Sequence, residues 1–295
     1  MAKARELKRR IRSIDNTRQI TKTMEMVAAS KLKRAQDRVI SARPFDQFMR
    51  QVIAQLREGA GESLGDFPLL REEPRSGRAA VLVVTSNRGL AGAFNANLVR
   101  AARGLLAEIR SRGLETELHV VGKKGAGMLR YQGDPPDQTI IDLSDRPTFE
   151  EAERMTDPLI AAFVDGTLDE VHLVYSLFKS PVEQRPQAAR ILPLPSAAEE
   201  GEERAERKYE PVYEFLPSPE MILTRLLPLF LKYAVYRAII ESAASEHGAR
   251  RTAMKNATDN AKELIRTFTR RYNRARQAQI TQEIAELVGG AEALR

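Results

Sequence analysis

The stretch 245-SEHGARRTAMKNATDNA-261 carries small or charged side chains and a single large apolar one, Met254. It holds no proline and one glycine, Gly248, so its composition permits helix. A helix ordinarily offsets its ordering cost with a broad apolar face, and this stretch has none. It therefore requires a neighbour that approaches closely enough for small side chains to suffice. Upstream, Ser218 is placed to cap a helix with Pro219 in its first turn. Pro228 is expected to kink or restart that helix. From there to about Val288 no further proline occurs, which amounts to about 90 Å of helix. Its stripe runs through Leu229, Tyr233, Tyr236, Ile240 and Ala243, then Met254, Ala257, Ala261, Leu264 and Phe268.

The other end of the chain repeats the pattern. Residues 3–57 contain no glycine, and their one proline is Pro44, where a bend is expected. Apolar residues recur at spacings of three and four (Leu7, Ile11, Ile14; Ile20, Met24, Val27; Leu32, Ala35, Val39). Two helices of similar length are most simply paired with each other as an antiparallel coiled coil. Alanine, threonine and arginine stand where a coiled coil wants leucine, so a partner is expected to surround part of the pair.

Between the helices the pattern changes. Residues 58–77 are rich in glycine and proline and read as a linker. RAAVLVVT (78–85) is a continuous apolar, β-rich run, as in a strand buried on both faces. A helix follows over about 95–112, a second strand over 115–122, and a helix over about 148–165. Further strands are expected at 169–178 and 188–194. Strands alternating with helices predict an α/β domain over 78–194, Rossmann-like with a largely parallel sheet. Residues 195–218 form a charged loop. The expected division is thus a helix over 1–57, the linker, the α/β domain, the loop, and a helix over 219–295.

Composition excludes several classes. The chain has 295 residues, 42% apolar, which is enough for a core. It has no cysteine, so disulfides and thiolate chemistry are excluded. Its histidines, His119, His172 and His247, lack metal-ligand spacing. No apolar run is long enough to cross a membrane as a helix. The basic N-terminus lacks the apolar region of a secretory signal. The net charge of +7 is uneven: residues 1–57 carry 15 Lys/Arg against 5 Asp/Glu, residues 220–295 carry 13 against 8, and the middle is acidic. Cationic ends fit either nucleic acid or an acidic protein surface.

No catalytic constellation emerges. TSNRGLAGAFN (85–95) lies between strand and helix, where phosphate loops occur, but matches neither G-x-G-x-x-G nor G-x-x-x-x-G-K-[ST]. GKKGAG (122–127) fails similarly and reads as a basic turn. Glu150, Glu151 and Glu153 read as a solvated helix face. A nucleotide-binding enzyme with coiled-coil arms and a basic DNA-binding coiled coil remain as rival classes at this point. Nucleotide calorimetry and the salt dependence of DNA binding separate them.

Residues 11–36 (IRSIDNTRQITKTMEMVAASKLKRAQ) resemble the N-terminal helix of the gamma subunit of F-type ATP synthases, bacterial type. Residues 241–261 and 272–294 resemble its C-terminal helix, and TSNRGLAGAFN its first strand-turn. The resemblance spans nearly the whole chain. Asn87 stands where that family commonly has Asp, and Ala91 where it often has Cys. The cysteine-bearing insert of chloroplast relatives is absent.

The resemblance implies a central-stalk rotor with no active site of its own. Its paired helices would turn within a ring of alpha and beta subunits, and its α/β domain would join the epsilon subunit and the membrane c ring. It implies no cofactor on this chain, with nucleotide and Mg held by partner subunits, and no nucleic acid. The expected location is peripheral, on the cytoplasmic face of the bacterial inner membrane. Partner contacts carried over are Met24, Arg250, Gln277 and Thr281, with Lys22 and Arg251 secondary.

Overall fold

A computed structural model of the chain describes residues 2–60, 67–71, 73–194 and 218–293. The expected charged loop lies, up to residue 217, outside the described residues. In chain order the elements are α1 (Ala2–Ala60), a 3-10 turn (Pro68–Leu70), β1 (Arg78–Val84), α2 (Phe94–Ser111), β2 (Glu115–Val121), α3 (Lys123–Tyr131), β3 (Gln138–Ile140), α4 (Phe149–Val164), β4 (Glu170–Phe178), β5 (Gln184–Leu192) and α5 (Pro219–Ala293). The chain divides into two compact units, Met1–Ala29 with Arg250–Arg295, and Ser30–Ala249.

In the unit Ser30–Ala249 the five strands lie in the order β3-β2-β1-β4-β5. β1 pairs in parallel with β2 and β4, β2 in parallel with β3, and β4 antiparallel with β5. Every residue from Ala79 to Val84 is buried, because both faces of β1 are covered. Ala79, Val81 and Val83 meet Leu98, Ala102 and Leu106 of α2 and Leu129 of α3. Ala80, Leu82 and Val84 join the opposite cluster with Leu159 and Phe163 of α4, Leu56 of α1 and Leu227 of α5. β5 is exposed or half-buried apart from Leu192, as suits an edge strand.

Several details differ from expectation. Pro228 neither ends nor restarts α5, which runs unbroken. The flanking Leu223, Leu227 and Leu231 are fully buried, and their packing holds both turns in place across the missing backbone bond. Pro44, as expected, lies inside α1. GKKGAG is not a turn: its second residue, Lys123, already opens α3. Gly122, at φ +100°, lets β2 pass directly into that helix. Gly125 then packs so closely on β1 that a Cβ there would lie 2.3 Å from Thr85 Oγ1. β3 is three residues long with no buried side chain, too short for an apolar pattern to register.

Within this unit α1 and α5 run antiparallel: Leu32 and Val39 cluster with Ile240 and Ala244, while Arg50 lies over the Phe230 ring. Polar groups also join the helices. Arg237 pairs with Asp46, which also holds Arg50 at 3.1 Å, and the Tyr233 hydroxyl donates to the Ala42 carbonyl at 2.8 Å. Burial, with Asp46 nearby, pushes the Tyr233 hydroxyl up to about 12.

The small residues of α5 have a second neighbour that periodicity did not reveal. β1 pairs with β4 only as far as Val83↔Val174. Beyond that point α5 takes over. The Ser176 amide donates to Ser242 Oγ at 3.1 Å, Ser245 Oγ donates to the Ser176 carbonyl at 3.1 Å, and the Phe178 amide donates to Glu241 at 3.3 Å. Gly248 lies against the following turn, where a Cβ would approach Pro181 O to 3.2 Å.

Candidate functional site

The residues carried over as partner contacts all fall in the unit Met1–Ala29 with Arg250–Arg295. Its two segments are helical wherever described. Their shared seam is thin. Thr21, Ala28, Met254, Thr258 and Ala261 are buried, and Ala257 is half-buried. The Thr21 and Thr258 hydroxyls meet at 2.8 Å, and each also reaches a carbonyl of its own helix, Arg18 at 3.0 Å and Met254 at 2.8 Å. This buried hydroxyl pair was missed in the sequence, although Thr258 falls on the Met254–Ala261 stripe at a spacing of four and three. A hydroxyl that satisfies itself within the seam needs no extra width there.

The rest of this surface is polar and cationic. Residues 250–287 carry nine Lys/Arg against four Asp/Glu. Arg251 is exposed and Arg250 half-buried. Met24 is half-buried, and exposed Lys22 reaches Glu25 at 3.2 Å. Gln277 and Thr281 are exposed and one turn apart, with Thr281 Oγ1 donating to the Gln277 carbonyl at 3.0 Å. Along α5, Gln277 lies about 40 Å from Arg250, at 1.5 Å per residue. The six residues therefore occupy two levels of a helical surface and do not converge on one pocket. Near the lower numbered end of the second level, Arg271 covers the Phe268 ring at 5.8 Å. Beyond it Ile280, Ile284 and Leu287 stand exposed at helical spacing.

This arrangement is suited to surface recognition. Among the described residues no group of His, Cys, Asp or Glu could hold a metal ion. No helix among them is long and apolar enough to cross a membrane.

The strand-turn loop of the other unit was the alternative candidate. Several of its polar groups are bonded within the fold. The Ser86 amide donates to Asn95 Oδ1 at 3.0 Å, and Ser86 Oγ donates to the Arg88 carbonyl at 2.7 Å. The first amides of α3 are also engaged: Lys123 N donates to Asn87 Oδ1 at 3.0 Å, Lys124 N to the Ser86 carbonyl at 3.0 Å, and Gly125 N to Thr85 Oγ1 at 3.2 Å. A phosphate cradle needs such amides open to the ligand. Here they tie β1 to α3, which favours the packing role for this loop.

Comparison with known proteins gives a concordant result along the whole chain. A family model described as ATP synthase matches residues 3–294. A protein of Gemmatimonas aurantiaca named ATP synthase gamma chain is 47% identical over 297 residues, covering 100% of both chains. A protein of the same name from Frankia casuarinae is 45% identical over 294 residues, covering 98% of this chain and 97% of its own. Among solved structures, the central stalk and c ring of the Tetrahymena thermophila mitochondrial ATP synthase contains a chain 26% identical, with a TM-score of 0.57 over 81% of this chain and 99% of that one. A chain in the rotor of the Euglena gracilis mitochondrial ATP synthase has the same fold, at 22% identity and a TM-score of 0.65, over 95% of this chain and 99% of that one.

Proposed function

This chain belongs to the ATP synthase gamma-chain family, and from that premise we propose that it is the turning shaft in the central stalk of a proton-translocating ATP synthase. The observation that carries this reading is the end-to-end match, which spans both terminal helices and the sheet domain together. The chain contributes no catalytic group. Nucleotide and Mg are held by the alpha and beta subunits that surround its helices. Its α/β domain joins the epsilon subunit and the c ring, so ion flow through the ring turns the helices. The chain itself is peripheral, on the cytoplasmic side of a bacterial inner membrane, and meets the membrane only through the complex.

The physical support lies in the unit built from the two chain ends. A pair of unlike helices has no threefold symmetry, so it offers each of three equivalent partners a different face. Each face shifts a partner's conformational equilibrium by its differential contacts. A thin seam of Ala, Thr and Met keeps that pair slim. Its outward Arg and Lys side chains attract an acidic surround without large apolar contacts that would resist turning. Arg250 and Arg251 supply donors for carboxylates, and Met24, Lys22, Gln277 and Thr281 mark two levels of contact.

Purification of the native complex tests this. The chain is expected at one copy per three nucleotide-hydrolysing subunits. A chain recovered from cells as a stable free monomer that hydrolyses ATP by itself would refute it.

A further inference from the structure

Lys31, Arg34 and Arg38 lie at i, i+3 and i+7 on one face of α1. They line a cavity of about 270 Å3 in the unit Ser30–Ala249. Arg146, from the connection between β3 and α4, and buried His247 of α5 complete the polar lining. The floor is aliphatic, from Ala35, Ile240 and Ala243.

Positive charge there exceeds negative. The lining holds four Lys/Arg and one carboxylate, Asp145. Asp145 is already engaged, with Lys31 at 2.6 Å and Arg88 at 3.7 Å. The Lys31 bond, against the opposing effect of burial, holds its carboxyl below the usual range, with Arg88 and His247 adding to the pull. Arg34, Arg38 and Arg146 form no ion pair among the described residues. Three guanidinium groups thus border one cavity without an ion pair of their own, each presenting planar donors that match an oxyanion.

The cavity limits what can fill it. A helix is about 10–12 Å across, too wide for a space below the usual ligand-pocket range of about 300–1,000 Å3. The lining has no Ser, Thr, Asn or Gln to meet the backbone of an extended peptide. We propose that this cleft binds a compact multivalent anion of the phosphate class, held by Arg34, Arg38 and Arg146. Binding here is separate from the stalk function and from the contacts of the other unit.

Calorimetric titration of the full chain with inorganic phosphate, pyrophosphate and ADP tests it. Pyrophosphate is expected to bind saturably, more weakly as salt rises, and at least tenfold more weakly to the Arg34→Gln/Arg38→Gln variant. ADP matching pyrophosphate assigns the site to the diphosphate group of a nucleotide. Inorganic phosphate matching it assigns the site to the free ion. Both outcomes uphold the class. The melting temperature of the double variant is expected to be unchanged. Should that variant not fold, Arg146→Gln on its exposed connection repeats the comparison. Absence of saturable pyrophosphate binding to the wild type overturns the proposal, as does unchanged affinity in the folded variant. A poly-glutamate peptide that binds more tightly than pyrophosphate with the same arginine dependence also overturns it and assigns the cleft to a protein partner.

Discussion

Asp169 ties the segment after α1 to the sheet. Its carboxylate accepts amide bonds from Arg75 at 2.7 Å, Ser76 at 2.9 Å and Gly77 at 2.6 Å, with Arg71 at 3.7 Å. Burial pushes this carboxyl up, but the three amides outweigh it and hold it below the ordinary value. Asp169→Asn replaces one charged acceptor oxygen with a donor facing those amides, and is expected to cost about 2–4 kcal/mol in chemical denaturation. A lowered carboxyl contributes stability that is complete above its unfolded pKa and is lost as pH falls through the folded one. The gap in stability between wild type and variant should therefore be constant from about pH 7 to 5 and shrink below about pH 4. Asp46 is the corresponding residue between α1 and α5. Asp46→Ala leaves Arg237 and Arg50 largely buried without their shared carboxylate, and a loss of about 3 kcal/mol is expected by thermal or urea unfolding. The proposed role of Arg250 as a partner contact has its own test. Arg250→Ala is expected to lower ATP synthesis driven by an ion gradient while leaving the assembled complex intact on a native gel. Loss of assembly instead would make it a structural residue.

The elements divide by how locally they are specified. α1, α2 and α4 were legible from apolar residues at helical spacing, and Thr148 with Glu151 forms the reciprocal cap that starts α4. Thr148→Ala should lower stability by about 1 kcal/mol, seen as a shift in the unfolding midpoint. β1 was legible as an unbroken apolar run, and β2 and β4 from their β-rich segments between helical stretches. α3 was not, because its first residues are the glycines and lysines of a turn. Its first turn packs on Thr85, about forty positions earlier in the chain. Gly125→Ala forces a Cβ into Thr85 and is expected to cost about 1–3 kcal/mol. Pairing it with Thr85→Ser, which removes the Cγ2 atom, should recover part of the loss if that clash is the cause. The carried-over contacts came from resemblance. The Thr21–Thr258 pair that shapes their seam was not read, because a threonine on a helix gives no sign of which neighbour it meets.

At the scale of the molecule, each unit joins segments distant in sequence, and the unit made from the chain ends carries the proposed partner surface. That surface lacks the apolar stripe of a self-sufficient coiled coil. Isolated chain is accordingly expected to lose helix content in its terminal segments at lower temperature than its sheet domain unfolds, a separation visible by hydrogen exchange. Incorporation into the complex should raise protection in Arg250–Ala261 first. By itself, the sequence determined two long breaker-poor helices, an α/β domain between them, cationic ends and the absence of thiol chemistry, since these follow from composition and short-range periodicity. The tertiary structure alone decided that α5 continues through Pro228 without ending and that Ser242 and Ser245 complete the backbone bonding of β4. It alone tied the start of the strand-turn loop to α3 and gathered Arg34, Arg38 and Arg146 around one cavity. Each of these depends on which distant surfaces pack, and packing is set by volumes and bonding groups that lie far apart in the chain.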